Sequence, residues 1–89
     1  MKTNYKSKKQ IGLALAILNI KIKRFYADMN DHWSESDYKF NRESAQQINF
    51  LTKQYELQYG MFPTFENIEE IFAEREALVA LLNEMRDKE

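Results

Sequence analysis

Apolar residues recur along most of the chain at steps of three and four, which is the period of an α-helix and not the alternation of a strand. The clearest series lies in the first third of the chain and alternates steps of four and three: Ile11, Leu15, Leu18, Ile22, Phe25 and Met29. Between Leu13 and Tyr59 there is neither a glycine nor a proline to interrupt a helix. The pattern therefore predicts an all-α protein.

Two interruptions divide the pattern into three helices of similar length, predicted at about 7–31, 35–59 and 64–87. The first is a polar stretch in which Ser34 or Ser36 is a good N-cap. The second is a turn in which Gly60 ends a helix and Thr64 is the expected N-cap of the next. Similar helices joined by short loops predict one domain, residues 1–89, folded as an antiparallel three-helix bundle.

The second helix has two possible forms, one unbroken and one divided near its start. Asn41 is a residue type that favours an N-cap, and a new helix starting there would divide the second helix near residues 40–43. An unbroken helix and a broken one are both compatible with the pattern.

The first two helices carry more apolar surface than one face needs. A second stripe on the first helix consists of Leu13, Ile17 and Ile20, and Phe50 and Leu57 lie opposite the main face of the second helix. A helix that is apolar all round must be buried all round. We therefore expect these five residues to form an interface with a partner or, most simply, a homodimer that makes a larger bundle. The alternative is that both stripes of the first helix pack on the other two helices of the same chain.

The net charge of −1 conceals a segregation of charge along the chain. Residues 1–27 contain seven basic residues and no acidic one, whereas residues 28–89 contain six basic and fourteen acidic residues. We expect residues 1–6 to be a flexible basic arm. Together with the first helix, this arm supplies seven possible nucleic-acid contacts: Lys2, Lys6, Lys8, Lys9, Lys21, Lys23 and Arg24. The same charges have an intramolecular alternative, which is to lie beside the acidic third helix.

The apolar stretch that begins at Ile11 is too short for a membrane helix, which needs about 20 apolar residues. It is flanked by lysines like a signal peptide, but no small-residue cleavage site follows it. The chain has no cysteine, so nothing points to an oxidising compartment. We expect a cytoplasmic protein that does not enter a membrane.

Candidate chemistry is sparse. The single histidine, His32, has Asp28, Asp31 and Glu35 at helical spacing, but a di-metal bundle site needs histidines from two helices. There is no glycine-rich phosphate loop and no credible Ser/His/Asp arrangement. We therefore expect no enzymatic activity, no metal, no cofactor and no small-molecule substrate. The pattern favours a small regulator or inhibitor that binds another protein and itself through an apolar helix face flanked by charge. Its small size is common among the regulators that mobile elements encode, which is an expectation from the class of protein and not from the residues. The alternative is a nucleic-acid-binding protein that uses the basic arm and the first helix.

Overall fold

The computed structural model describes residues 4–30 and 32–87, and within them every regular element is helical. The helices are α1 (Lys8–Asp28), α2 (Glu35–Tyr59) and α3 (Ile68–Asp87). α1 packs against both α2 and α3, whereas the backbones of α2 and α3 do not approach each other closely in the described part of the chain. The all-α prediction and the packing of three helices are confirmed. The antiparallel order and the dimer stay predictions.

α2 begins and ends where the local signals predict. Ser34 is its N-cap and forms a capping box with Asp37, whose carboxylate accepts hydrogen bonds from the Ser34 backbone N–H at 2.8 Å and the Ser34 hydroxyl at 2.9 Å. These bonds lower the pKa of Asp37 below its usual value. The helix runs unbroken through residues 40–43, so the alternative of a break there is wrong. Asn41 does not cap a helix, and its side-chain oxygen accepts a hydrogen bond from Arg24 at 2.8 Å.

α3 begins later than predicted. Its first residue is Ile68, and the side-chain oxygen of Asn67, in place of Thr64, accepts a hydrogen bond from the Glu70 N–H at 3.0 Å. The preceding residues form a non-helical segment because Phe62 leaves the turn to enter the core, where it is 5% exposed. Its ring meets the ring of Tyr55 edge-on, with the centroids 5.0 Å apart. Phe62 therefore joins this segment to the core, whereas the neighbouring Met61 is 83% exposed.

α1 is the central helix of the core. It contributes buried side chains from both of its predicted stripes, since Ile11 and Leu18 belong to the first stripe and Ile17 belongs to the second, and all three are fully buried. The same cluster includes Tyr55 from α2 and Leu78 from α3. Met29, the last member of the first stripe, is exposed instead and follows the end of α1. Val79 of α3 is also exposed.

The segment before α1 is held against the bundle. Tyr5 is 5% exposed, and its hydroxyl donates a hydrogen bond of 3.0 Å to the carboxylate of Glu74, itself buried on α3. The backbone N–H of Lys6 donates to the side-chain oxygen of Gln10 at 3.0 Å. Of the residues expected to form a flexible arm, 1–3 lie outside the described part of the chain, and Tyr5 is a core residue.

The two glycines provide a matched test of backbone effects. Gly60 has φ 96° and ψ −169°, a region that only glycine adopts readily, so Gly60→Ala should lower the free energy of unfolding by about 1–3 kcal/mol. Gly12 lies within α1, so Gly12→Ala should raise the free energy of unfolding by about 0.5–1 kcal/mol. At neither position would a new Cβ meet an atom within 4 Å. The sign of the change in the free energy of unfolding therefore depends on the backbone conformation alone. Urea unfolding measures both, and changes of equal sign would contradict this account.

Candidate protein-binding surface

α2 carries apolar side chains on the side that faces away from the core. Phe50 is 63% exposed and Leu57 is 72% exposed. They are seven residues apart, which is two helical turns, so they share one side of the helix about 10 Å apart. On the other side, Ser44 and Tyr55 are buried. We call the exposed side, centred on Phe50 and Leu57, the outer face of α2.

An open groove of about 570 Å³ adjoins this face. Its apolar lining comes from Phe50 and Leu51 of α2 and from Ile20 of α1. The rest of its lining consists of one acidic residue, Glu43, and two amides, Gln46 and Gln47. Leu51 and Ile20 are partly buried, so the groove has an apolar floor beneath the exposed ring of Phe50. The outer face is therefore a ridge of two apolar side chains beside a shallow apolar groove.

The second half of α2 is almost free of charge. Between Ser44 and Gly60 only Lys53 and Glu56 are charged, in a chain in which 30% of all residues are charged. Uncharged amides occupy most of the other exposed positions: Gln46, Gln47, Asn49 and Gln58. The core of a protein–protein interface is depleted of charged residues in the same way. The low density of charge and the exposed apolar side chains thus both indicate the outer face of α2 as a binding surface.

The five residues predicted to form an interface occupy different environments. Phe50 and Leu57 are exposed, and Ile20 is partly buried at the groove. Leu13 is partly buried and packs against the core, and Ile17 is fully buried. Ile17 therefore presents no surface to a partner, because the chain itself covers this side of α1. The interface stays a prediction, and Phe50 and Leu57 are its exposed members.

The basic residues predicted to contact nucleic acid do not form one dense patch. Lys6, Lys9 and Lys23 are exposed, whereas Lys8 is partly buried. Lys9 and Lys23 lie fourteen residues apart on one helix, a distance of about 21 Å. Two further residues of this predicted set, Lys21 and Arg24, are partly buried and line a cleft near the start of α3. Lys2 lies outside the described residues.

A buried polar pair that the sequence did not reveal joins α1 to α2. Gln10 is 5% exposed, and its side-chain nitrogen donates a hydrogen bond of 3.0 Å to the hydroxyl of Tyr55. The spacing of apolar residues does not predict such a pair. Gln10 is polar and directly precedes Ile11, the first apolar residue of the series, so the pattern places it at the surface. Because each group satisfies the other, the pair stabilises and orients the two helices.

Two further sequence predictions concern metals and membranes. Within residues 4–30 and 32–87, no three histidine or acidic side chains are grouped closely enough to hold a metal ion. Asp31, one of the residues with the spacing considered for a metal, lies outside those ranges. None of the helices that the structure describes is long and apolar enough to cross a membrane.

The chain was compared with family models, curated proteins and solved structures. No family model, no curated protein and no solved structure matches the chain.

Proposed function

We propose that this chain is a cytoplasmic, non-enzymatic regulator or inhibitor that binds protein through the outer face of α2, and that this face pairs with the same face of a second copy. The observation that carries the proposal is the exposure of Phe50 (63%) and Leu57 (72%) on a nearly uncharged stretch of helix. Adjacent exposed apolar side chains mark an interaction surface, and these two share one side of α2 beside an apolar groove.

The proposal includes an antiparallel arrangement of α1 and α2. Gln10, near the start of α1, contacts Tyr55, near the end of α2. Arg24, near the end of α1, contacts Asn41, near the start of α2. These two contacts support helices that run in opposite directions, so that α1 covers one side of α2 along much of its length and leaves the outer face to a partner.

A second copy is the occupant that the chemistry of the face fits. A nearly neutral face meets its own copy without the repulsion that a strongly charged face would suffer. Amide side chains such as Gln46 and Gln47 both donate and accept hydrogen bonds, so they can pair with the same groups on a twofold-related copy. The exposed apolar residues are few for an interface of about 800 Å² per partner, so we expect reversible association at micromolar or weaker affinity.

Sedimentation equilibrium from about 10 µM to about 1 mM, which spans binding free energies of about −7 to −4 kcal/mol, tests this pairing. The wild-type mass should rise from 10.7 kDa toward twice that value with concentration. Leu57→Glu should weaken association at least tenfold because it places a charge in the apolar contact. The matched control is Val79→Glu, which makes the same change at an exposed residue of α3 and should associate like the wild type.

A strict monomer at the highest concentration would overturn the pairing. Equal effects of Leu57→Glu and Val79→Glu would also overturn it, because the contact would then not lie on α2. Thermal melts of both variants exclude unfolding as the cause of any loss of association.

A further inference from the structure

A cleft separate from the outer face of α2 lies beside the first turn of α3. It is lined by α1, by Ile48 of α2, by the non-helical segment and by the start of α3, and its volume is about 410 Å³, within the range of small-ligand sites. Its apolar walls include Phe25, Phe65 and Ile71, all partly buried. The cleft is therefore large enough for a ligand of several heavy atoms with an apolar body.

Two basic side chains of α1, Lys21 and Arg24, line this cleft, and Lys21 also lines a neighbouring groove that includes Phe62. Lys21 is partly buried, and burial lowers the pKa of its ammonium. Its nitrogen lies 6.0 Å from the centre of the Phe62 ring, and no carboxylate within the described residues is at ion-pair distance from it. The ring face attracts the ammonium only weakly at this distance, and partial burial disfavours its charge. A bound anion would offset this loss of solvation.

Arg24 is also incompletely satisfied. One terminal nitrogen donates to Asn41 at 2.8 Å, which fixes the guanidinium against α2. Its Nε is buried and has no hydrogen-bond acceptor. Buried donors in folded proteins nearly always have a partner, so this guanidinium has unused hydrogen-bonding capacity. Arg24 and Lys21 are three residues apart and share one side of α1.

The acidic residues of the cleft differ from the cations in exposure. Asp28, Glu66 and Glu69 are exposed, whereas Lys21 and Arg24 are partly buried. Solvent screens the charges of the exposed carboxylates more strongly than those of the partly buried cations. The cleft thus has two partly buried cations, apolar walls and exposed carboxylates at its edge. An apolar α-amino acid has a complementary group for each, and a peptide C-terminus has the carboxylate and the apolar side chain.

We propose that this cleft binds a carboxylate attached to an apolar body, with Lys21 and Arg24 holding the carboxylate and Phe25, Phe65 and Ile71 contacting the body. The carboxylate can come from a free amino acid or from the C-terminus of a peptide. The site does not depend on the outer face of α2, so either proposal can fail without the other.

Titration of the ¹⁵N-labelled protein followed by NMR tests the site with three probes: leucine, 4-methylpentanoate and leucinamide. The first two carry the carboxylate and should shift the amide signals of Phe25, Ile48, Phe65 and Ile71. Leucinamide lacks the carboxylate and should bind at least tenfold more weakly, which is a difference of about 1.4 kcal/mol. A leucine-ended tripeptide that binds more tightly than leucine would identify a peptide C-terminus as the source, and weaker binding would identify the free amino acid.

The matched variants are Lys21→Met and Lys23→Met, which each remove one lysine from α1. Lys21→Met should weaken carboxylate binding about tenfold without lowering the melting temperature, because it removes a partly desolvated charge. Lys23 is exposed and does not line the cleft, so Lys23→Met should bind like the wild type. Equal binding of leucine and leucinamide, no shift with any probe, or equal loss in both variants would overturn the proposal.

Discussion

Replacing Ile17 with glutamate should unfold the protein, whereas the same replacement at Phe50 should leave it folded. Ile17 is fully buried, so its variant must either bury a carboxylate without a partner or open the core. Substitutions of this kind lower the free energy of unfolding by more than about 4 kcal/mol. A domain of 89 residues has only about 4–13 kcal/mol in total. Phe50 is 63% exposed, and glutamate there stays in water.

Circular dichroism and the dispersion of amide signals in NMR spectra measure the difference between these two variants. Phe50→Glu is the control because it makes the same chemical change on an exposed face. An Ile17→Glu variant that keeps the wild-type melting temperature would contradict the position of this side chain in the core. It would also restore the interpretation in which the second stripe of α1 faces a partner.

Replacing Tyr55 with alanine should lower the free energy of unfolding by about 3–5 kcal/mol, the range for removing a large buried aromatic side chain. Tyr55 is fully buried, and its ring lies 5.0 Å from Phe62 and 5.2 Å from Tyr59, measured between ring centroids. Its hydroxyl accepts the hydrogen bond from Gln10. One side chain therefore joins α1, α2 and the segment that leads to α3.

Tyr55→Phe separates the two contributions of this residue. It keeps the ring but leaves Gln10 without its partner, so the free energy of unfolding should fall by about 1–3 kcal/mol, less than for alanine. Urea unfolding curves of both variants measure the difference. Equal losses in the two variants would contradict a stabilising role for the ring, and no loss in either would place Tyr55 outside the core.

Local signals in the sequence correctly predict both ends of α2, whereas the predicted Thr64 cap of α3 is wrong. Ser34 and Asp37 define the start of α2, because a capping box needs only residues that are close in sequence. Gly60 defines its end, because its backbone conformation suits no other residue type. The helical spacing correctly places Ile11 and Leu18 in the core. Each of these features depends on a few neighbouring residues.

Features that depend on distant residues could not be predicted. The spacing shows that Ile17 lies on an apolar side of α1, but it does not tell whether the same chain or a partner covers that side. Phe62 follows a turn signal, and only the space beside Tyr55 determines that it enters the core. For the same reason, the cleft around Lys21 and Arg24 has no signature along the chain, since its walls come from residues far apart in sequence.

The central claim is that the outer face of α2, an apolar surface that folding leaves uncovered, pairs with the same face of a second copy. Dilution of the ¹⁵N-labelled protein from about 1 mM to about 10 µM, across the expected range of affinity, tests it most directly. The account predicts that the amide signals of Gln47, Phe50 and Leu57 move with concentration. Those of Tyr26 on α1 and Val79 on α3, two exposed apolar residues away from α2, should not move. Signals that stay constant throughout, or that move only at Tyr26 and Val79, would contradict it.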